Sequence, residues 1–481
     1  MSWDAIHLVL NLAIAALALA ASLASAAHVI LYKRDPRAAV MWLVVCLALP
    51  VVGPIVYLAL GINRLRRRAL DWKSAGRRLT ATGAFRAAEV VPLPGGVQPS
   101  HLEELRRLAD TITNRPVVGG NRITPLVNGE EAYPEMLAAI EGAKTSVHLA
   151  TYLFDVDATG RRFAETLTRA AARGLQVRVL VDGLGEKYGW PRAAHRLFRG
   201  SRVQFAKFLP LRYGLSFNLR NHRKILVVDG AIGFIGGMNI GDRHLAKTPS
   251  HSGPVADVQF RVDGPVVTDL QRVFLEDWFF VTGDKRDDAA LFPALSPAGP
   301  AAARTIDDGP DETNRKLHWI LMGALACATK SVRIMTPYFI PGRALLSALG
   351  TAALRGIEVT LLLPEHNNLP YMHWAARAYL PELLQFGIRV RLQPAPFAHS
   401  KLLLVDDLWS LIGSANLDPR SLRLNFELNL EVYDDGLAKA LAAQFDATLE
   451  KSRLVTVAEL EARPLWQKLR DGATRLASPY L

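Results

Sequence analysis

A motif of eight residues occurs twice in this chain, and the repeat restricts the possible folds more than any other feature of the sequence. The motif residues are His222, Lys224 and Asp229 in the first copy and His399, Lys401 and Asp406 in the second. The residues that follow are Gly236, Gly237 and Asn239 in the first copy and Gly413, Ser414 and Asn416 in the second. Each position is offset from its counterpart by 177 residues. Chance does not produce such a match, so the chain is predicted to contain two copies of one structural unit.

Strand-like and helix-like segments alternate around both copies. Residues 146–154 have the composition of a buried strand, residues 163–173 that of a helix ended by Gly174, and residues 177–181 that of a second strand. The same order returns between residues 330 and 359. A strand, a helix and a strand in sequence predict an α/β fold in which each half has a mostly parallel sheet.

Two long apolar runs lie near the N-terminus. Residues 5–31 and 38–60 contain no Lys, Arg, Asp or Glu, and each run exceeds the roughly 20 residues that cross a bilayer. A cleaved signal peptide has a shorter apolar core after a basic start, whereas this chain starts with Met-Ser-Trp-Asp. The sequence therefore predicts a transmembrane hairpin of two helices.

Basic residues are denser after the second apolar run than in the turn between the runs. The stretch after the second run contains Arg64, Arg66, Arg67, Arg68, Lys73, Arg77 and Arg78. The positive-inside rule then favours a cytoplasmic position for the rest of the chain. Three basic residues in the turn, Lys33, Arg34 and Arg37, count against this orientation.

The formal net charge of +12 suits either nucleic acid or an anionic membrane surface. Next to a membrane hairpin, the basic stretch favours anionic lipid headgroups over nucleic acid, and a solvated linker is the other interpretation. Only Cys46 and Cys327 are present, which excludes a disulfide framework and a cysteine zinc site.

These patterns predict six consecutive segments. They are a hairpin at 1–62, a basic linker with an amphipathic helix at 63–122, a first half at 123–283, a linker at 284–313, a second half at 314–460, and an amphipathic tail at 461–481. The linker at 284–313 is assigned because it is rich in Ala, Pro, Gly and Asp and has no periodicity.

The motif residues have side chains suited to phosphodiester chemistry. On a strand, a histidine and a lysine two positions apart project from the same face, so each copy can present both to one cleft. Asp229 and Asp406 would point to the opposite face, and we expect them to be structural. Asn239 and Asn416 follow small residues that let the backbone approach a ligand, and an amide can donate to a phosphoryl oxygen.

The paired motifs resemble the HKD motifs of the phospholipase D superfamily, whose members join two α/β halves around one active site. Within it, nearly the whole chain is similar to bacterial cardiolipin synthases. The matching stretches are Arg34–Pro36 with the following apolar run, Asn221–Lys224, Gly236–Asp242, Gly413–Ser421 and Leu424–Glu427. One departure is Pro254-Val-Ala before Asp257, where relatives often carry Trp-Arg, and it leaves the packing around Asp257 open.

The resemblance implies a phosphatidyl transfer from one phosphatidylglycerol to another through a phosphohistidine, at the inner membrane of a bacterium. His222, Lys224, Asp229, His399, Lys401 and Asp406 would form the catalytic set. The resemblance further implies that Asp257 orients His222 and that Glu427 orients His399, although both acids also suit an ordinary strand surface. We assign the attack on phosphorus to His222.

No cofactor or metal is expected, because the lysines supply positive charge and would repel a divalent cation. The sequence also has no HExxH or comparable ligand spacing.

Three functions stay open: a lipid phosphatidyltransferase, a hydrolase acting on lipid or nucleic acid, and a non-catalytic membrane scaffold. Intact motifs disfavour the scaffold, and the hairpin disfavours nucleic acid. The lipid specificity and the oligomeric state stay open as well.

The C-terminal tail has helical spacing of apolar residues. Leu465, Leu469 and Leu476 recur on one face beside Trp466, near Lys468, Arg470 and Arg475. This pattern predicts a helix lying in the membrane interface, which would hold the active-site mouth against the bilayer. A helix packed on the catalytic part is the alternative, and Gly472 weakens either helix.

Overall fold

The structure is a computed structural model that describes residues 3–33, 36–61, 100–188, 193–209, 219–247, 253–284, 289–310 and 315–478. The chain divides into two compact units, Met1–Arg68 and Ala69–Leu481. The basic stretch between Arg64 and Arg78 lies outside the described residues.

Among the described residues of the N-terminal unit, one helix is long and apolar enough to cross a membrane. This helix, α1 (Trp3–Tyr32), has 30 residues and a mean hydropathy of 2.2. The second apolar run is divided into α2 (Pro36–Ala48), α3 (Val52–Val56) and a π-helical turn, Tyr57–Gly61. The interruption falls at Pro50, which has no N–H to continue a helix. The predicted hairpin of two spanning helices is thus not confirmed.

The two apolar segments of this unit pack against each other. The Ser22 hydroxyl donates to the carbonyl oxygen of Cys46 at 2.8 Å, and His28 Nδ1 lies 2.8 Å from the Tyr57 hydroxyl. Val29, Trp42, Cys46 and Tyr57 form a small apolar cluster between them.

The first α/β half contains most of the elements before residue 284. They are α4 (Ser100–Thr113), β1 (Val118–Val127), α5 (Asn128–Gly142), β2 (Ser146–Thr151), α6 (Ala158–Ala172), β3 (Gln176–Asp182), α7 (Gly185–Tyr188), β4 (Gln204–Phe208), β5 (Ile225–Val228), β6 (Ile232–Gly236), β7 (Val255–Ala256), β8 (Val258–Asp263) and α8 (Val267–Thr282). Of these, α4 belongs by packing to the other half, since its Leu102, Leu105 and Ala109 join that half's core.

The second α/β half repeats this order. Its elements are β9 (Ala301–Asp308), α9 (Lys316–Cys327), β10 (Ser331–Met335), α10 (Arg343–Leu354), β11 (Glu358–Pro364), α11 (Pro370–Arg377), α12 (Leu380–Gln385), β12 (Arg389–Gln393), β13 (Phe397–Ala398), β14 (Leu402–Val405), β15 (Trp409–Gly413), α13 (Pro419–Arg423), β16 (Glu427–Tyr433), α14 (Asp435–Glu450), β17 (Arg453–Leu454), α15 (Val457–Glu461) and α16 (Leu465–Leu476).

One continuous 15-stranded sheet contains both halves, in the order β17-β12-β11-β10-β14-β15-β16-β9-β1-β8-β6-β5-β2-β3-β4. Read outward from its centre, each half runs through equivalent strands, which confirms the prediction of two similar α/β halves. The predicted βαβ segments are also present, with β2 and β3 parallel and paired from Ser146↔Gln176 to Thr151↔Val181.

The prediction of a mostly parallel sheet is wrong. Among the described strands of this 15-stranded sheet, only β2 to β4 and β10 to β12 pair in parallel, and the motif strands form antiparallel hairpins. The hairpin turns begin at the motif aspartates, where Asp229 and Gly230 have φ of 53° and 64°, and Asp406 and Asp407 have φ of 57° and 55°. Positive φ at two successive residues is what a type I′ hairpin turn requires.

The predicted linker at 284–313 needs a second correction, because it contains β9. This strand is buried along its whole length and pairs with β16 on one side and with β1 on the other. A strand covered on both faces shows no alternation of polar and apolar residues. Its sequence, Ala-Ala-Ala-Arg-Thr-Ile-Asp-Asp, therefore lacked the signal that identifies most strands.

Candidate active site

The two motif histidines line the same cavity, which has a volume of about 860 Å³. Residues from both halves form its walls in equivalent pairs. These pairs are Tyr152 with Tyr338, His222 with His399, and Asn239 with Asn416. The fold therefore brings together residues that are far apart in the sequence, by 177 positions for the histidine and asparagine pairs and by 186 for the tyrosines.

Each histidine lies just before a hairpin strand. His222 and Lys224 precede β5, and His399 and Lys401 precede β14. Each lysine ammonium donates to the carbonyl oxygen of its own histidine, at 2.7 Å for Lys224. Both strands that follow are paired on each side, β5 with β6 and β2, and β14 with β10 and β15.

The carboxylates pair with the histidines across the two halves. His222 Nδ1 donates to Glu427 Oε2 at 3.0 Å, and His399 Nδ1 donates to Asp257 Oδ2 at 2.8 Å. The predicted pairing, Asp257 with His222 and Glu427 with His399, is thus wrong in its partners. Each half supplies the acid that orients the histidine of the other half.

Backbone pairing between the halves explains this exchange. In one place β13 runs parallel to β7, and the His399 amide donates to the Ala256 carbonyl at 2.8 Å. In the equivalent place Asn221 pairs with Phe426, and the His222 amide donates to the Phe426 carbonyl at 2.9 Å. Each histidine is thus held beside the residue that precedes the opposite carboxylate.

Gly237 and Ser414, the equivalent small residues after the motif hairpins, contact the two carboxylates differently. A Cβ added to Gly237 would lie 2.5 Å from Asp257 Oδ2, so this position requires glycine. Its counterpart Ser414 instead donates its hydroxyl to Glu427 Oε2 at 2.6 Å. The carboxylate of Glu427 also accepts from Asn425 Nδ2 at 3.2 Å.

The motif aspartates do not line this cavity. Asp229 accepts hydrogen bonds from the backbone amides of residues 144–146, and Asp406 accepts them from the amides of residues 329–331. Burial alone would raise the pKa of each carboxyl, but these hydrogen bonds outweigh it and lower the pKa. Both aspartates tie their hairpin to the start of a neighbouring strand, the geometry expected of a structural role.

The two asparagines are bound differently. The amide oxygen of Asn239 accepts from the Leu153 amide at 3.1 Å, which leaves its NH₂ end to face a ligand. Asn416 donates from Nδ2 to the Ser421 hydroxyl at 3.3 Å. Both side chains are buried and line the cavity.

Burial lowers the pKa of all four basic groups, and repulsion between them adds to this effect at His222, Lys224 and His399. Burial lowers the pKa of Lys224 to about 7 and of Lys401 to about 8, against the attraction of Glu427 and Asp257 respectively. Burial also lowers the pKa of His222 and lowers that of His399 well below its ordinary value, with Lys401 and Lys224 adding to the effect at His399. Both imidazoles are therefore neutral at pH 7 in the cavity without a bound anion.

The pKa values of the two carboxyls, Asp257 and Glu427, are shifted in opposite directions. Burial raises the pKa of Asp257 above its ordinary value, despite the nearby charge of Lys401. At Glu427 burial acts in the same direction, but His222 and Lys224 outweigh it and lower the pKa. Glu427 is the more firmly ionised of the two acids.

Sequence reasoning missed a third histidine in this site. The ring of His244 lies 6.1 Å from that of His399, and its Nε2 accepts from the Asn239 amide at 3.2 Å. Burial lowers its pKa to about 3, so it is neutral. Its counterpart at an offset of 177 is Ser421, so the repeat contained no signal for it.

Among the described residues, no group of three or more His, Cys, Asp or Glu side chains is arranged to hold a metal ion.

Comparison with protein families gives two matches. The model described as "Cardiolipin synthase, PLD-like domain" matches residues 136–278 and 321–449, which together cover more than half of the chain. The model described as "Phospholipase D-nuclease N-terminal" matches residues 20–61.

Individual proteins agree with this assignment. A cardiolipin synthase of Alkalihalophilus pseudofirmus is 34% identical, over 93% of this chain and 90% of its own. The major cardiolipin synthase ClsA of Bacillus subtilis is 31% identical, over 93% of this chain and 95% of its own. Among solved structures, the phosphatidylserine synthase of Haemophilus influenzae matches 78% of this chain and 100% of its own, with a TM-score of 0.63 and 18% identity, which supports the fold. The chain belongs to the cardiolipin synthase family of the phospholipase D superfamily.

Proposed function

We propose that this protein is a cardiolipin synthase, which transfers a phosphatidyl group from one phosphatidylglycerol to another and releases glycerol. The observation that carries the proposal is the pair of histidines in one cavity, each hydrogen-bonded through Nδ1 to a carboxylate of the opposite half. Names of relatives that match over nine-tenths of the chain support the same reaction.

The hydrogen bonds at Nδ1 leave Nε2 of each ring for the chemistry. In the first step Nε2 of His222 attacks phosphorus, and the bond from phosphorus to the glycerol oxygen breaks. His399 in its imidazolium form gives its proton to that oxygen, so neutral glycerol leaves. The carboxylate behind each ring holds the tautomer that presents Nε2.

The second step reverses these roles. His399, now neutral, takes the proton from a hydroxyl of the second phosphatidylglycerol. The hydroxyl oxygen then attacks phosphorus, and the bond from phosphorus to His222 breaks. Cardiolipin is released, and both histidines return to their starting protonation states.

The two lysines and two asparagines stabilise the phosphoryl oxygens in both steps. An anionic phosphodiester in the cavity raises the pKa of Lys224 and Lys401, because an opposite charge favours the ammonium form. The same anion raises the pKa of His399, which supplies the imidazolium needed for the first step.

Hydrolysis of a lipid phosphodiester is the alternative reaction, with water in place of the second lipid. The same residues serve both reactions, and the long apolar helix α1 favours a lipid substrate over nucleic acid. A non-catalytic scaffold is disfavoured, because all the motif side chains are present and the histidines are oriented.

The membrane arrangement is also part of the proposal. We propose that the second apolar segment enters the bilayer together with α1, and that the catalytic unit lies on the cytoplasmic side of the inner membrane. The hydrogen bonds between α1 and the second segment support the first statement, and the basic residues after Gly61 support the second.

An experiment with defined lipids tests the reaction. Purified protein in vesicles receives isotope-labelled phosphatidylglycerol, with or without phosphatidylethanolamine, and the products are weighed by mass spectrometry. Cardiolipin and glycerol formed from phosphatidylglycerol alone support the proposal. Phosphatidic acid as the sole lipid product would assign the protein to the hydrolases instead.

A further inference from the structure

The last helix of the chain, α16, packs with its charged side toward the protein and its apolar side outward. Leu465, Trp466, Leu469 and Leu476 are 60 to 79% exposed, whereas Asp471 is buried. A helix that stabilises a soluble domain does the reverse and buries its apolar face.

Ion pairs to one buried carboxylate hold this inverted helix in place. Asp471 accepts hydrogen bonds from Arg463 at 2.8 Å and from Arg470 at 2.7 Å, and Arg377 of α11 lies 3.6 Å from the same carboxylate. The Tyr379 and Ser478 hydroxyls are 3.2 Å apart. The contacts are specific, so the outward position of the leucines is a consequence of how the helix is held.

Exposed apolar side chains concentrate in this part of the catalytic unit. Among the described residues from Ser100 onward, nine large hydrophobic side chains are exposed, and six of them lie between Leu454 and Leu476. Contiguous apolar surface of this kind marks an interaction site rather than ordinary exposure.

Basic residues flank the apolar stripe on both sides. Lys468 and Arg475 lie along one edge and are exposed. On the other edge the guanidinium of Arg470 lies 4.5 Å from the Trp374 ring and 5.2 Å from the Trp466 ring. An apolar stripe between cationic edges, with tryptophan at its border, suits an anionic lipid surface.

The helix is also connected to the wall of the active-site cavity. It packs on α11 through Arg377, whose Nη2 donates to Gln467 at 3.5 Å. Tyr371 and Met372, at the start of α11, line the cavity that contains both histidines, and Tyr371 is exposed. The same short helix therefore contacts α16 and the cavity.

We propose that α16 docks its apolar face into an anionic phospholipid surface and so holds the mouth of the cavity, through α11, against the bilayer. The role of this contact in catalysis rests on the proposed transfer reaction. A cavity mouth that opens to lipid receives the hydroxyl of a second lipid before water, which favours transfer over hydrolysis.

A fluorescence experiment on the full chain tests the docking. The protein, with Cys46 and Cys327 replaced by alanine, carries an environment-sensitive dye at Leu469→Cys or, as the control, at Lys439→Cys on α14, where the lysine side chain is 65% exposed. Both are reconstituted in vesicles with brominated acyl chains, made of phosphatidylglycerol or of phosphatidylcholine. We expect quenching at position 469 and none at 439, and stronger quenching with phosphatidylglycerol.

Absence of quenching at position 469 in phosphatidylglycerol vesicles would overturn the docking. Disulfide crosslinking between two copies at Leu469→Cys, without quenching by lipid, would overturn it as well and would assign the face to a second copy of the chain. Neither measurement depends on turnover, so each stands apart from the reaction assigned to the protein.

Substitutions that keep the fold separate docking from stability. Leu465→Gln with Leu469→Gln should weaken docking by about tenfold or more for each leucine, whereas Leu354→Gln on α10, equally exposed at 73%, should have no effect. Gly472→Leu should strengthen quenching, because it extends the stripe and a Cβ there meets no atom within 4 Å.

Product analysis tests the link to the cavity. The double leucine variant should release more phosphatidic acid relative to cardiolipin than the Leu354→Gln control does. An unchanged product ratio, in a variant that has lost quenching, would overturn the link between α16 and the cavity. Failure of the wild type to make cardiolipin would instead refute the proposed function and leave the docking result intact.

Discussion

The two halves of the catalytic unit share a strand order and a motif, yet they provide the active site with unequal parts. The first half places a glycine beside an aspartate whose pKa is raised. The second places a serine hydroxyl on a glutamate whose pKa is lowered. Duplication therefore supplies two histidines and two acids, and the surroundings of the two acids differ.

Replacement of either histidine tests whether the halves act as one unit. His222→Ala and His399→Ala should each reduce kcat by about 10³-fold or more, because nucleophile and acid/base serve the same two steps. The double variant should be little worse than either single variant. If either variant kept a tenth of the wild-type rate in the vesicle assay, the mechanism with two histidines would be wrong.

Trapping the covalent intermediate sharpens the same comparison. The proposal places the phosphatidyl group on His222, whereas the electrostatics of the cavity without an anion make His399 the more readily neutral ring. Rapid acid-free quenching, proteolysis and mass spectrometry would locate the label. Label on His399 would reverse the assigned roles.

The next largest effect is expected when the two carboxylates that bind the histidine of the opposite half are replaced. Asp257→Asn and Glu427→Gln should each reduce kcat by about 10- to 100-fold. Nuclear magnetic resonance of labelled histidines should show that Asp257→Asn lowers the pKa of His399 and that Glu427→Gln lowers the pKa of His222. The opposite correspondence would mean that each acid serves the histidine of its own half.

The pH dependence follows from the lysines, whose pKa values are about 7 for Lys224 and about 8 for Lys401 because both are buried. A lysine loses its charge as pH rises through its pKa, so kcat/KM should fall between about pH 7 and 8. On the acid side of the profile, the His222 imidazole stays neutral at pH values below 6.5, about the ordinary pKa of a histidine, because burial lowers its pKa. Steady-state kinetics over pH 5 to 10 would reveal this profile, and a constant kcat/KM across pH 7 to 9 contradicts it.

The motif aspartates should affect stability more than chemistry. Asp229→Ala and Asp406→Ala each remove the acceptor for three backbone amides, at a cost of about 1 to 3 kcal/mol. Asp406 also lies 3.2 Å from His101 Nε2 on α4, so its loss should lower the thermal midpoint further. Scanning fluorimetry would measure this, with kcat per folded enzyme changing only a few-fold. A loss of kcat as large as for the histidines would assign the aspartates to catalysis.

The smallest expected effect is that of metal removal. Activity should be unchanged after exhaustive dialysis against EDTA, because the lysine ammonium groups supply the positive charge in both halves. Loss of activity that a specific divalent cation restores would refute this expectation. If removal of EDTA by dialysis restores activity without added metal, the inhibition is caused by EDTA itself and not by loss of a metal ion.

Much of the fold was predictable because it depends on local patterns. The βαβ segments near residues 146–182 were predicted from periodicity and end within a few residues of the predicted positions. An amphipathic helix was predicted within 63–122 without bounds, and α4 lies in that segment. The strand β9 was not predicted, because it is buried on both faces and its sequence does not alternate between polar and apolar residues. The second apolar run was predicted as one helix on composition alone, although Pro50 divides it.

The sequence by itself determined the number of halves, the residues of the two motifs and the class of chemistry, because these follow from spacing and residue type. Only the tertiary structure decided which acid serves which histidine. That pairing joins residues that are 142 positions apart for Asp257 with His399 and 205 positions apart for Glu427 with His222. Such contacts form only when the two halves dock across β9, and no pattern within either half encodes them.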